Sequence, residues 1–403
     1  MKILLIICDG MSDRPVNGKT PLETADIPHM DSIARKGITG IMDTVRAGIR
    51  PGSDTSHLSL FGYNPFDLYT GRGPFEALGV GLELKKGDVA IRCNFGTIKN
   101  GKVIDRRAGR DEYGLDKLAE ELDGMKIFNT ETIFRKASGH RAVLILKGKN
   151  LSANISDTDP ESENSSPLPS KALDRNENSR RTARILNKFT EESIKILRDH
   201  PVNKKRVRMK KLPANIILAR GAGIQTHLQP FNYRFRMNAA CISATTLIKG
   251  VCRAVGMDII EVKGATGHVD SNIAEKAKAA IKALKNYDFV FLHIKGTDET
   301  SHDGNFKKKV EMIERIDREV IAPILKNVRD TTICITADHS TPISIKQHSA
   351  DPTPVAILGD VRTDFVKKFT ERDCATGGLN RICGINLLNI LRDLSNRTEL
   401  FGA

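Results

Sequence analysis

Three stretches of the chain read as continuous apolar strands that lead into an acid. Lys2–Cys8 (KILLIIC) runs into Asp9-Gly10, residues 288–294 (DFVFLHI) into Lys295-Gly296-Thr297-Asp298, and Thr331–Thr336 (TTICIT) into Ala337-Asp338-His339. Strands without polar alternation are those buried on both faces of a parallel sheet. Helical periodicity over residues 245–255, 271–284 and 307–325 alternates with them, which predicts an α/β fold with a mainly parallel sheet flanked by helices. In open α/β sheets the ligand crevice lies beyond the carboxyl ends of the strands, so the three acids, distant in sequence, are expected to meet there.

From about residue 73 to 237 the texture changes. Short strands, at residues 88–92 and Arg141–Leu146, alternate with glycine turns, and residues 152–180 form a polar stretch that reads as a long surface loop. A helix fits residues 181–198, and residues 203–211 (NKKRVRMKK) form a basic run that reads as a solvated face or hairpin. Asp157 and Asp159 receive no role. Because strand-end acids flank this region, it is expected to be an α+β domain (73–237) inserted into a discontinuous core (1–72 and 238–403). No internal repeat is found.

With 403 residues, 39% of them hydrophobic, the chain is long enough for two domains, which excludes a disordered or fibrous protein. No apolar run reaches membrane length and the first residues lack a signal h-region, so a soluble cytoplasmic chain with no membrane partner is expected. The seven cysteines show no C-x-x-C spacing, which fits a reducing compartment without a cysteine metal site. A net charge of +14 favours an anionic partner. With 5% aromatics and no Trp, stacking platforms for single strands are poorly supplied. A nucleic-acid binder using residues 203–211 is thus secondary to a small anionic substrate.

Asp298 and His302 are four residues apart and would share one face of a helical turn, as two ligands of one ion must. Asp338 and His339 are adjacent, so both serve one site only if a turn brings them together. With Asp9, and with His348 in the next loop, these residues all lie at or beyond strand ends. Carboxylates and imidazoles without thiolate suit Mn²⁺, Co²⁺, Zn²⁺ or Mg²⁺, and a set of this size can hold two ions about 3.5–4 Å apart, the arrangement that clamps a phosphoryl group. A nucleophile could come from Pro51-Gly52-Ser53-Asp54-Thr55-Ser56-His57, a Gly-led turn before a predicted helix.

At this point a resemblance enters. ICDGMSDRP (7–15), TPLETADIPHMDSIARKGITG (20–40), RPGSDTSHLSLFGYNP (50–65), GRGPFEALG (71–79), ISATTLIKG (242–250), HIKGTDETSHDGN (293–305) and TADHSTP (336–342) together resemble the cofactor-independent phosphoglycerate mutases of archaeal type, within the alkaline phosphatase superfamily. The resemblance implies an alkaline-phosphatase-like core and interconversion of 3-phosphoglycerate and 2-phosphoglycerate without bisphosphoglycerate. Two divalent ions are implied, Mn²⁺ foremost. Asp298, His302 and His348 would hold one; Asp9, Ser53, Asp338 and His339 the other. Ser53 would become phosphoserine while glycerate stays trapped and reorients.

Gly109-Arg110-Asp111 is similar to a segment of the bacterial relatives whose Arg binds substrate and whose Asp moves protons between the glycerate hydroxyls. Arg110 is therefore expected at the substrate and Asp111 in catalysis, with Arg135, Arg220, Lys295 and His57 as further candidates for substrate contacts. A phosphatase or phosphotransferase acting on another small phosphate with the same core is the alternative. The oligomeric state is open.

Overall fold

The structure, a computed structural model, describes residues 1–400 and 402. They form two compact units, Met1–Tyr69 with Leu228–Ala403, and Thr70–His227. The second break falls at 227 and not at 237, because helix Phe231–Phe235 packs into the first unit: Phe231 lies 5.0 Å from the Phe289 ring.

The first unit is built on an eight-stranded sheet in the order Asp258–Ile259, Ala239–Ile242, Phe289–Ile294, Lys2–Cys8, Thr331–Thr336, Thr353–Leu358, Ile38–Asp43, Asn380–Cys383. Every strand runs the same way except Thr353–Leu358, which is antiparallel to both neighbours, so the sheet is mixed with a parallel majority. The three acid-bearing strands are the adjacent central ones, with Cys8 opposite Ile294 and Ile7 opposite Thr336. Asp9, Asp298 and Asp338 therefore emerge side by side. One face of the sheet (Leu4, Ile6, Val290, Leu292, Ile333, Ile335) packs on helices Ile273–Ala283 and Phe306–Ile316. The other carries an aromatic cluster in which Phe61 meets Phe291 edge-on at 5.0 Å. That cluster seats helix Ser53–Leu60, seven of whose eight residues are buried.

The second unit is an antiparallel sheet of six strands centred on Val89–Lys99, which extends well beyond the expected 88–92 and pairs with Arg141–Leu146, Lys102–Asp105 and Ile216–Ile224. One face is apolar (Phe95, Phe134, Leu144, Ile217) and is covered by helices Leu115–Leu122 and Glu177–Arg198. The second helix begins at 177, capped by the Asn176 side chain on the Asn178 N–H, a polar start that hydrophobic periodicity does not register. The other face carries short helix Gly73–Gly79; a Cβ at Gly73 would lie 2.0 Å from the Ala90 carbonyl oxygen, so only glycine allows that approach. The basic run is a helix, Pro201–Arg208, in which Arg206 is wholly buried. No helix among the described residues is long and apolar enough to cross a membrane.

Candidate active site

The central strands deliver their acids into the protein interior. Asp9, Asp298 and Asp338 are all buried, and the Lys295 ammonium pairs with the first two. Lys295 Nζ lies 3.1 and 3.0 Å from the two Asp9 oxygens and 2.6 Å from Asp298 Oδ2. Burial works against a charged Asp298, but the Lys295 ammonium and the His302 hydrogen bond hold its carboxyl well below the usual range.

Helix Gly296–His302 sets Asp298 and His302 on one face, with His302 Nε2 3.3 Å from Asp298 Oδ2. His348 Nε2 approaches Asp298 Oδ1 at 3.6 Å, and the three residues make one group of convergent ligand atoms. Asp9, Asp338 and His339 make the second. Despite being adjacent in sequence, Asp338 and His339 turn inward together, His339 Nε2 lying 3.2 Å from Asp338 Oδ2 and 3.5 Å from Asp9 Oδ1. The His339 and His348 rings stack at 3.5 Å between centroids, joining the two groups.

These residues fit divalent cations on three counts. The Asp298 hydrogen bond pushes the His302 imidazole up, and, against burial, Asp338 pushes His339 up, a pull for positive charge that a cation would answer. Asp338 Oδ2, fully buried, makes no hydrogen bond among the described residues. Each imidazole is tied through Nδ1, His302 to the Lys346 carbonyl at 2.8 Å, His348 to the Pro51 carbonyl at 2.9 Å and His339 to the Thr341 hydroxyl at 3.0 Å, which turns Nε2 toward the carboxylates. Cys8, next to Asp9, is no competitor: burial, reinforced by Asp338 and Asp9, pushes its thiol up to about 12.

Ser53 opens helix Ser53–Leu60, and its Oγ lies 3.3 Å from His339 Nε2. His57 corrects an expectation. It is wholly buried, its Nδ1 on the Ser53 carbonyl and its ring against Phe291 and His293, so it supports the serine turn and presents no surface to a substrate. His293 was missed by reasoning on the sequence; its Nε2 contacts Asp9 Oδ2 at 2.9 Å. A histidine inside an otherwise apolar strand was the available signal.

The unit of residues 70–227 gathers charge of the opposite sign. Arg92 and Arg220 face one another across paired strands, and Arg141 lies opposite Asn94, so the three share the face away from the apolar core. Arg72 joins them from the turn before Gly73–Gly79, and Glu76 answers both Arg72 at 3.0 Å and Arg92 at 3.9 Å. Arg92 Nε makes no hydrogen bond among the described residues. Burial, then Arg72, pushes the Arg92 guanidinium well below its usual range. His140 falls to about 3 through burial and then Arg141, Arg107, Arg92 and Arg110. Arg72, Arg92 and Arg141 had not been anticipated, although an arginine between Ile91 and Cys93 in a buried strand is itself a signal.

The other expected residues divide. Arg220 lies in this cluster and is braced by Glu161 at 2.7 Å. Arg110 bears on His140 and follows Ala108 and Gly109 in a run of three left-handed residues. Arg135 is half exposed and paired with Asp123 at 3.4 Å. Asp111 corrects an expectation. Its carboxylate is held by Lys211 at 2.6 Å and Arg206 at 3.3 Å, and the Lys211 hydrogen bond keeps it below the usual range, so it is an ionised anchor rather than a carboxyl poised to trade protons. Of the stretch 152–180, residues 177–180 belong to helix Glu177–Arg198 and the rest is irregular but pinned: Asp157 accepts from the Gly221 N–H, and Asp159 is held by Arg106 through two bonds of 2.7 Å.

Paired carboxylate and imidazole groups beside a serine hydroxyl are the equipment of metal-dependent phosphoryl transfer, and the α/β core falls in that class. Comparison with known proteins narrows it. The pattern of the family described as 2,3-bisphosphoglycerate-independent phosphoglycerate mutase matches residues 34–203. A Methanothermobacter thermautotrophicus protein of that name, "2,3-bisphosphoglycerate-independent phosphoglycerate mutase 1", is 49% identical over the full length of both chains. One of the same name from Methanocaldococcus jannaschii is 48% identical over 100% of this chain and 99% of its own. Among solved structures, a Pyrococcus horikoshii protein superposes with a TM-score of 0.87 at 42% identity, covering 100% of this chain and 99% of its own. The cofactor-independent phosphoglycerate mutase of Thermoplasma acidophilum gives 0.68 at 37% identity, covering 98% and 99%. The chain belongs to the 2,3-bisphosphoglycerate-independent phosphoglycerate mutase family and is an isomerase of phosphoglycerate.

Proposed function

We propose that the chain interconverts 3-phosphoglycerate and 2-phosphoglycerate through a phosphoryl group carried on Ser53. Asp298, His302 and His348 would hold one divalent cation and Asp9, Ser53, Asp338 and His339 the other; the oxygen and imidazole set suits Mn²⁺, Co²⁺, Zn²⁺ or Mg²⁺, of which the family resemblance puts Mn²⁺ first. Bound cations lower the pKa of a serine hydroxyl and draw charge from phosphoryl oxygens. The observation that carries the reading is the placement of Ser53 Oγ, 3.3 Å from His339 Nε2 beside the buried acids.

The Ser53 oxygen forms a bond to phosphorus as the bond from phosphorus to the glycerate oxygen breaks; the departing glycerate oxygen takes up the proton that Ser53 gives up. Glycerate reorients, its other hydroxyl attacks the phosphoserine, and the serine recovers its proton. Lys295, whose ammonium the two acids keep charged, meets the phosphoryl oxygens. Arg92, Arg141 and Arg220 supply guanidinium forks, which match carboxylate geometry. In this reading the unit 70–227 retains glycerate, which separates a mutase from a phosphatase.

The test is a chemical trap. Metal-loaded protein mixed with 3-phosphoglycerate and quenched in acid should yield one phosphorylated peptide, carrying Ser53, and Ser53→Ala should yield none. Phosphate on another residue would refute the assignment.

A further inference from the structure

Between the two candidate cation groups stands a residue that belongs to neither. Thr341 is fully buried, and its one hydroxyl touches a member of each group: it donates to Asp298 Oδ1 at 2.9 Å and lies 3.0 Å from His339 Nδ1. A hydroxyl has one proton. Spent on the Asp298 carboxylate, it leaves the Thr341 oxygen only the acceptor part toward His339, which requires the proton of the neutral imidazole to sit on Nδ1. With a cation bound, His339 Nε2 would then be the unprotonated nitrogen, on the side of Asp9, Asp338 and Ser53.

The hydroxyl is held in place from several sides. The Thr341 N–H donates to the Ser12 carbonyl at 3.1 Å, and the buried Lys309 ammonium ties the Thr341 and Ser12 carbonyls together at 3.2 Å each while pairing with Asp13 at 2.8 Å. Gly10, at φ +64°, leaves the room: a Cβ there would stand 2.6 Å from Thr341 Oγ1 and 2.8 Å from the Asp298 Cβ. The loop after Lys2–Cys8 and the loop after Thr331–Thr336 are thereby fastened to each other through Thr341.

We propose that Thr341 is a positioning residue that makes the two cation groups one unit, fixing the metal-binding tautomer of His339 in one and the carboxylate of Asp298 in the other. This rests on the reading of the two groups as cation sites. Without the hydroxyl, the Nδ1–H of His339 loses its acceptor, and the tautomer that places a proton on Nε2, against an incoming cation, is no longer disfavoured. Asp298 Oδ1 loses its donor at the same time. One substitution at a residue that is not itself a ligand therefore weakens both sites, by about 10–100-fold each, the range found when an outer partner of a metal ligand is removed.

The experiment is Mn²⁺ binding to the EDTA-stripped full chain, followed by titration calorimetry and by metal content after dialysis. Wild type should take up two ions, His302→Ala should weaken one, Thr341→Val should weaken both, and Thr341→Ser should match wild type. If Thr341→Val fails to fold, Thr341→Ala and Thr341→Ser, which differ only by the hydroxyl, give the same comparison. Unchanged binding at either site in Thr341→Val, or equal loss in the Ser and Ala variants, overturns the proposal. A wild-type chain that takes up no Mn²⁺ overturns instead the cation reading on which it stands.

Discussion

The strand-end site of the core and the arginine face of the inserted sheet each concentrate charge of one sign, acidic in the first and basic in the second. In the core, Asp9, Asp298 and Asp338 gather around the Lys295 ammonium; in the inserted unit, Glu76 pairs with Arg72 and Arg92, and Glu161 and Asp159 with Arg220. Gathering like charges in a buried place is costly, and such a cluster persists where a ligand of opposite sign binds it. The first set asks for cations and the second for an anion. The buried Arg206 shows the contrast within one unit: it donates to the Ala108, Asp111, Tyr113 and Leu212 carbonyls and needs no further partner.

The sharpest way to break this contrast is at the serine. Ser53→Ala should cut kcat by about 10⁴-fold or more, the scale on which nucleophile deletions act, while leaving thermal stability near wild type; residual turnover above that level would move the chemistry elsewhere. Next in size, Arg206→Met should destabilise the folded chain by about 3–5 kcal/mol in denaturant titration, because it strands buried carbonyls and removes one partner of Asp111. Arg92→Met should behave in the opposite way. It should raise KM for phosphoglycerate by about 10–100-fold with a smaller effect on kcat, and raise stability by about 1 kcal/mol by relieving guanidinium repulsion. A destabilised Arg92→Met with unchanged KM would make Arg92 a structural residue like Arg206.

The smallest effect is at His140, whose pKa of about 3 reflects burial and then the surrounding guanidiniums. Because the folded value is below the ordinary 6.5, this group lowers stability as pH falls below about 6.5, the loss being complete near 3. An anion on the arginine face offsets the repulsion and raises the value, so NMR titration of His140 with and without 3-phosphoglycerate should show an upward shift. A shift that is absent, or downward, would separate His140 from the anion site.

The core was legible because strands buried on both faces leave a local signature, and Lys2–Cys8, Phe289–Ile294 and Thr331–Thr336 carry it without interruption. Their adjacency, and with it the convergence of Asp9, Asp298 and Asp338, followed from the general geometry of parallel sheets. The Asp298–His302 pair was visible from helical spacing, whereas the roles given to Ser53 and His348 needed the family resemblance. Of the arginine face only Arg220 was a candidate in sequence; its meeting with Arg92 and Arg141 comes through cross-strand register, which local pattern does not reveal. The basic run misled for a related reason: Arg206 looks like its neighbours in sequence, but a helix turns it into the core to hold a left-handed loop.

The most direct test is an enolase-coupled assay on EDTA-stripped protein with 3-phosphoglycerate, with Mn²⁺, Co²⁺, Zn²⁺ or Mg²⁺ added back, no bisphosphoglycerate, and free phosphate followed in parallel. The account predicts no activity without metal, and metal-restored 2-phosphoglycerate without phosphate release. Phosphate release in place of 2-phosphoglycerate, or turnover that survives complete removal of metal, would contradict it.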